Sequence, residues 1–220
     1  MIDKRKTYYL TIDTETANNL DNPFVFDIGG AVHDKHGNVE ETFSFIVREV
    51  FIEMPDLMKE CFYQSKLPAY REQIRQGERI VKNYYEIRKH INNLCEKYNI
   101  KAIIAHNMRF DYRSTTTTQR YITYSKYRYF FPCDVELWDT LKMAQDTICK
   151  QKTYIRFCEE NGYTKKNGSP RATAEILYRY ISGNNDFVES HTGLEDVLIE
   201  KEIFAKCMAQ HKKMRKNVWE

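Results

Sequence analysis

The cysteines of this chain lack the spacing that makes them ligands or redox partners. Cys61, Cys95, Cys133, Cys149, Cys158 and Cys207 include no Cys-x-x-Cys step, which argues against a zinc cage or a dithiol motif and marks them as reduced thiols. Long apolar runs are also missing: nothing approaches the roughly 18 residues needed to cross a bilayer. The basic start Met1 to Lys6 leads into Thr7-Tyr8-Tyr9-Leu10-Thr11-Ile12 without the apolar stretch of a signal peptide. The expectation is a soluble, cytoplasmic chain with no membrane partner. Charge of one sign is scarce in excess, since 34 Lys and Arg against 31 Asp and Glu leave +3. Bulk electrostatics therefore argue for no particular partner. No internal repeat and no linker longer than a loop interrupts the sequence.

What is present suffices for one substantial core, because 42% of the 220 residues are hydrophobic. Residues 1–220 are accordingly read as a single domain with a basic tail from about 210 onward. Thr7 to Ile12, Phe24 to Val32 and Glu41 to Val47 are β-branched and aromatic runs, read as strands. His36-Gly37-Asn38 supplies a turn for an antiparallel hairpin. Ile87, Ile91, Leu94 and Tyr98 recur at helical steps within a helical stretch from about Pro55 to Tyr98. Lys101 to Ala105 is a short apolar strand, Trp138-Asp139-Thr140-Leu141 opens another helix, and the remainder is helical around a loop at Asn167-Gly168-Ser169-Pro170. Three antiparallel strands followed by alternating helices and strands predict an α/β fold with a mixed central sheet flanked by helices.

Acidic residues punctuate this pattern at three places. Asp13 and Glu15 stand two apart at the end of the first strand, so both carboxylates face one side. Such a pair offers the oxygen ligands that Mg²⁺ takes, although a solvated strand edge would read the same way. Asp111 lies just past the short apolar strand in Ala105-His106-Asn107-Met108-Arg109-Phe110-Asp111, where α/β sheets collect ligands. An ordinary helix cap at Asn107 or Asp111 is the plainer alternative. Asp196 and His191 fall in His191-Thr192-Gly193-Leu194-Glu195-Asp196. There the Thr192 and Glu195 spacing is that of a capping box, which predicts a helix starting just after Thr192 with His191 outside it.

Taken in order, Ile12-Asp13-Thr14-Glu15-Thr16, His106-Asn107-x-x-Phe110-Asp111 and His191-x-x-x-x-Asp196 resemble the three motifs of the DEDDh exonucleases. This is the DnaQ-like, proofreading-subunit-like branch of the ribonuclease H-like fold. Asp27-Ile28-Gly29-Gly30-Ala31-Val32 resembles the family's second strand, and Ala172 to Ile203 resembles small members encoded by phages and prophages. The resemblance implies two Mg²⁺ or Mn²⁺ ions held by Asp13, Glu15, Asp111 and Asp196. Asp13 would bridge them, Glu15 and Asp196 would serve the nucleophile side, and Asp111 the leaving-group side. It also implies His191 as general base, with Thr14, Thr16, Asn107 and Phe110 at the terminal nucleotide. The activity so implied is 3′→5′ hydrolysis of single-stranded or frayed DNA. RNA or short oligonucleotides are the alternative substrates, and a non-catalytic binding subunit, such as a polymerase accessory, is an alternative of another class.

Two departures from the family pattern carry expectations of their own. The β-branched run Thr115-Thr116-Thr117-Thr118 predicts a short or displaced helix after Asp111. Gly193 predicts a loosened turn at His191. Aromatic and basic residues interleave from Tyr121 to Phe131, the mixture that stacks single-stranded bases, or else a partly exposed tyrosine-faced strand. His211 to Lys216 is read as a solvated helix end whose cations complement the helix dipole.

Overall fold

The computed structural model describes residues 2–18, 21–59, 61, 63–123 and 129–220. The first three strands are β1 (Tyr8–Ala17), β2 (Phe24–Asp34) and β3 (Val39–Val47), paired antiparallel in sequence order. Helices α1 (Arg48–Phe51), α2 (Pro55–Lys59) and α3 (Leu67–Gln76) follow. A short strand β4 (Ile80–Lys82), which the helical reading of this stretch missed, then adds parallel to β3. Beyond α4 (Tyr84–Tyr98) the chain crosses to the other side of β1, where β5 (Ala102–Ala105) and β6 (Glu136–Asp139) lie parallel to it. The sheet order is β4-β3-β2-β1-β5-β6. Helix α5 (Met108–Thr123) joins β5 to β6, and α6 (Thr140–Asp146), α7 (Lys152–Glu160), α8 (Ala174–Ser182) and α9 (Gly193–Met208) complete the chain. This is the mixed α/β sheet that the strand pattern predicts.

Side-chain alternation along β1 assigns each face of the sheet its helices. Tyr8, Leu10 and Ile12 join Phe26, Ile28, Ile87 and Ile91 in a core beneath α4 and α5. Tyr9 joins Ile104, Trp138, Ile199 and Phe204 in a second core beneath α9. Each fully buried aliphatic side chain contributes about 1.5–3 kcal/mol. The same period of two puts Asp13 and Glu15 on the α9 side and Thr14 on the α5 side.

Two local expectations are corrected, and a third falls partly outside the described residues. Helix α5 runs 16 residues through its threonines. Thr115 Oγ1 donates to the Asp111 carbonyl at 2.7 Å and Thr118 Oγ1 to the Ser114 carbonyl at 2.7 Å, so these two buried hydroxyls are satisfied within the helix. In the aromatic and basic run, residues 124–128 lie outside the described residues. Of its flanks, Phe130 and Phe131 are core residues, the first packed on Tyr84 with ring centroids 4.8 Å apart. Finally, α9 ends at Met208, and the tail folds back beside β6. There Val218 donates to the Leu137 carbonyl at 2.9 Å and Arg215 Nε meets Asp146 at 2.8 Å.

Candidate active site

Strand β1 carries Asp13 and Glu15 out of the core, and a bulge between Glu15 and Thr16 breaks its pairing with β2 at that point. The N-terminal turn of α9 lies directly over β2. A Cβ built on Gly29 would stand 2.2 Å from the Leu194 nitrogen, and one on Gly193 would stand 2.7 Å from the Gly29 nitrogen. Gly193 is therefore demanded by a close backbone approach, which corrects the loose turn expected there. Asp27 of β2 fixes the contact from below, since its Oδ2 accepts from Gly193 N at 3.0 Å, from Tyr70 Oη at 2.7 Å and from Arg79 at 2.9 Å. Arg79 reaches on to Glu195 at 2.9 Å. The capping box at Thr192 is consequently not formed. Thr192 is the N-cap as predicted, but its hydroxyl donates to Glu195 Oε2 at 2.6 Å, and its amide donates to Asp196 Oδ2 at 3.1 Å.

With α9 so placed, carboxylate oxygens of Asp13, Glu15 and Asp196 come within 4.8 Å of one another. Asp111 approaches from the α5 side, buried, with its Oδ1 accepting from the Thr14 hydroxyl at 2.8 Å. Its charge is felt at Asp13. Among the described residues no hydrogen-bond donor reaches Asp13 or Glu15.

Loss of hydration, then repulsion by like charges, pushes these acids upward. Asp13 lies well above its ordinary range, with Glu200, Asp111, Glu15 and Asp196 as its like-charged neighbours. Glu15 is pushed to about 9 by burial and Asp196, and burial raises Asp111 to about 7 and Asp196 to about 6.

His191 stands outside α9 with φ +51°, its ring stacked on Tyr63 at 4.6 Å. Its Nδ1 is 3.9 Å from Glu189 Oε2. Partial burial, then the charge of Lys66, holds its pKa below 6.5. A cleft of about 760 Å³ opens from this cluster and is lined in part by Asp13, Glu15, His191, Asp196 and Asn107. Asn107 has φ +72°, and its amide donates to Asp139 Oδ1 at 3.1 Å. Thr14 is committed to Asp111, while Thr16 is half-buried just past the bulge. Phe110 lines a hollow with Arg109, Arg113 and Trp219 that adjoins the cleft at Asn107.

Two acids in the cleft escaped the motif reading. Glu200, 3% exposed, accepts from the His106 amide at 3.1 Å and is raised well above its ordinary range by burial and by Asp111. Glu189 is raised to about 7 by burial and Asp196. The first was readable, because Asp196 and Glu200 stand four apart on one helix face. The second sits in a loop and left no such signal.

No known protein-family profile matches the chain, and no curated protein matches it. Solved structures do. Cell-death related nuclease 4 aligns with a TM-score of 0.55 and 10% identity over 96% of this chain and 67% of that one. S. pombe Pop2p, in its Mg²⁺- and Mn²⁺-bound form, aligns with a TM-score of 0.55 and 12% identity over 94% of this chain and 85% of Pop2p. A zinc-bound complex of E. coli exonuclease I with single-stranded DNA gives 0.52 and 15%, over 94% of this chain but 41% of the enzyme. The chain has the fold of these nucleases. It is the ribonuclease H-like exonuclease architecture, with three antiparallel strands leading a six-stranded sheet. The chain spans less than half the length of exonuclease I.

Proposed function

We propose that this chain is a metal-dependent 3′→5′ exonuclease of the DEDDh type, acting on single-stranded or frayed DNA. The observation that carries the proposal is the convergence of Asp13, Glu15 and Asp196 from separate segments, their oxygens within 4.8 Å and, among the described residues, without a hydrogen-bond donor at Asp13 or Glu15. Uncompensated charge of this kind is unfavourable unless a cation occupies the cluster. An all-oxygen donor set fits Mg²⁺ or Mn²⁺ better than a soft metal. Two such ions, when bound, polarise the scissile phosphate and stabilise both the attacking and the leaving oxygen. Asp13, Glu15, Asp111 and Asp196 would hold them. The Mg²⁺ and Mn²⁺ of Pop2p and the single strand in exonuclease I are in keeping with this reading.

The chain's own chemistry centres on His191. Glu189 faces its Nδ1, which favours the tautomer protonated there and leaves the Nε2 lone pair to take a proton from the attacking water. Glu189 then lies where it stabilises the imidazolium. Asn107, at the head of the cleft, and Thr16, past the bulge, are assigned to the terminal nucleotide. The test is an end-labelling assay. With Mg²⁺ or Mn²⁺, 5′-labelled single strands shorten progressively and 3′-labelled strands release labelled mononucleotide at once. Robust turnover in excess EDTA, or release from the 5′ end, overturns the proposal; parallel DNA and RNA strands read the sugar preference.

A further inference from the structure

One wall of the cleft is basic although the opposite end is crowded with carboxylates. Lys165, Lys166 and Arg171 are the cationic side chains that line it. All three are exposed, and none has a carboxylate partner among the described residues. They project from a tight hairpin, closed by a Thr164–Pro170 bridge and by bonds from Lys165 N to the Ser169 carbonyl at 2.8 Å and from Arg171 N to the Tyr163 carbonyl at 2.9 Å. Gly168 supplies its left-handed residue at φ +79°.

The hairpin is tied to the carboxylate cluster. Tyr154 Oη donates to the Arg171 carbonyl at 2.6 Å, and His106 Nε2 pairs with the Ala172 carbonyl at 2.8 Å. A carbonyl only accepts, so Nε2 carries the proton. Burial depresses the His106 pKa, which keeps the ring neutral, and its Nδ1 is left to accept from the Thr140 hydroxyl at 3.0 Å. The His106 amide in turn holds Glu200. One residue thus sets the distance between the basic wall and the acidic end.

We infer that this hairpin is a backbone-binding subsite, in which Lys165, Lys166 and Arg171 neutralise phosphates of the nucleic-acid strand 5′ to the scissile bond. The inference rests on the nuclease reading above. A polyanion entering an acidic cleft is repelled along its path unless cations flank it; Lys66 acts at the carboxylate end, and along the described lining Lys165, Lys166 and Arg171 supply the rest. The strand then runs from the carboxylates past Leu141 and Gln145 to the hairpin. Contacts to phosphate do not distinguish DNA from RNA.

The test is equilibrium binding of 5′-fluorescein dT16 and rU16 to the Asp13→Asn chain in EDTA, measured by anisotropy across a KCl series. Each phosphate contact on a single strand contributes about 0.7 to the slope of log K against log salt. Changing all three cations to Gln is expected to lower the slope by about 2 and weaken low-salt binding at least tenfold, equally for both polymers. The Lys165→Gln, Lys166→Gln double variant lowers it by about 1.4. Removing two charges from the exposed tail, Lys212→Gln with Lys213→Gln, leaves the slope unchanged. An unaltered slope in the triple variant, a loss confined to one polymer, or no binding by the parent overturns the subsite. Failure of the nuclease reading shows separately, as absence of metal-dependent shortening by the wild-type chain.

Discussion

Glu15 and Asp27 are register partners across β1 and β2, on the same face and beneath the same helix, yet the structure treats their charges in opposite ways. Asp27, with no exposed surface, receives Tyr70, Arg79 and the Gly193 amide. Burial pushes its carboxyl upward, while these three partners pull it back. Glu15 sits half-buried near Asp13, Asp196 and Glu189 with no hydrogen-bond donor among the described residues, and burial and Asp196 push it to about 9 against the opposing charge of Lys66. A buried charge that gathers donors and a cation on one oxygen, as Asp27 does on Oδ2, holds elements together; one left among like charges is a place prepared for a ligand. Asp27 anchors α9, and α9 delivers Asp196 to Glu15.

That contrast breaks most visibly at Asp13. Asp13→Ala should abolish detectable turnover, while the metal-free protein melts at the same temperature or higher because a like charge has left the cluster. Unfolding of the variant, or near-normal rates, contradicts the assignment. Next in size is His191→Ala, expected to lower kcat by about 10²- to 10⁴-fold with the metal midpoint unchanged and the acid limb of the pH profile flattened. In wild type that limb falls below pH 6.5, since burial and Lys66 depress the imidazole. Asp196→Asn should differ in kind, raising the metal midpoint so that extra Mn²⁺ recovers part of the rate. Titrating kcat against metal and pH under single-turnover conditions separates the two.

On the other side of the comparison, Arg79→Met leaves Asp27 buried without its cation, which is expected to cost about 3–5 kcal/mol in denaturant melts. Glu195, 46% exposed, adds little to that loss. If Arg79→Met is as stable as wild type, Asp27 is no anchor.

The smallest effect is thermal stability against pH. The clustered acids have raised pKa values in the folded chain, about 6 for Asp196, about 7 for Asp111 and about 9 for Glu15. The folded state therefore retains protons that the unfolded chain releases, and the stability this provides is complete below about pH 4 and lost as pH rises through those values. In EDTA the melting temperature should fall from about pH 5 to 9, and Mg²⁺ should flatten the decline. A decline of equal depth with and without Mg²⁺ would remove the cluster as its cause.

Much of this was legible in the sequence wherever a local rule governs. The hairpin around Gly37, the helix carrying Ile87, Ile91 and Leu94, the N-cap at Thr192 and the shared face of Asp13 and Glu15 follow from period and turn chemistry. What was not legible depends on contacts distant in the chain. The threonine helix persists because the Thr115 and Thr118 hydroxyls bond to its own carbonyls and it packs on the core, the capping box yields to Arg79, and Gly193 is set by Gly29 of a remote strand. Glu189 and the basic hairpin enter the cleft through tertiary placement alone.

Calorimetric titration of Mn²⁺ into the wild-type and Asp13→Ala chains at neutral pH tests the central claim most directly. Two ions per wild-type chain, with proton release as the raised carboxyls ionise and with binding lost in the variant, is the predicted result. No binding by wild type, or equal binding by both chains, would contradict it.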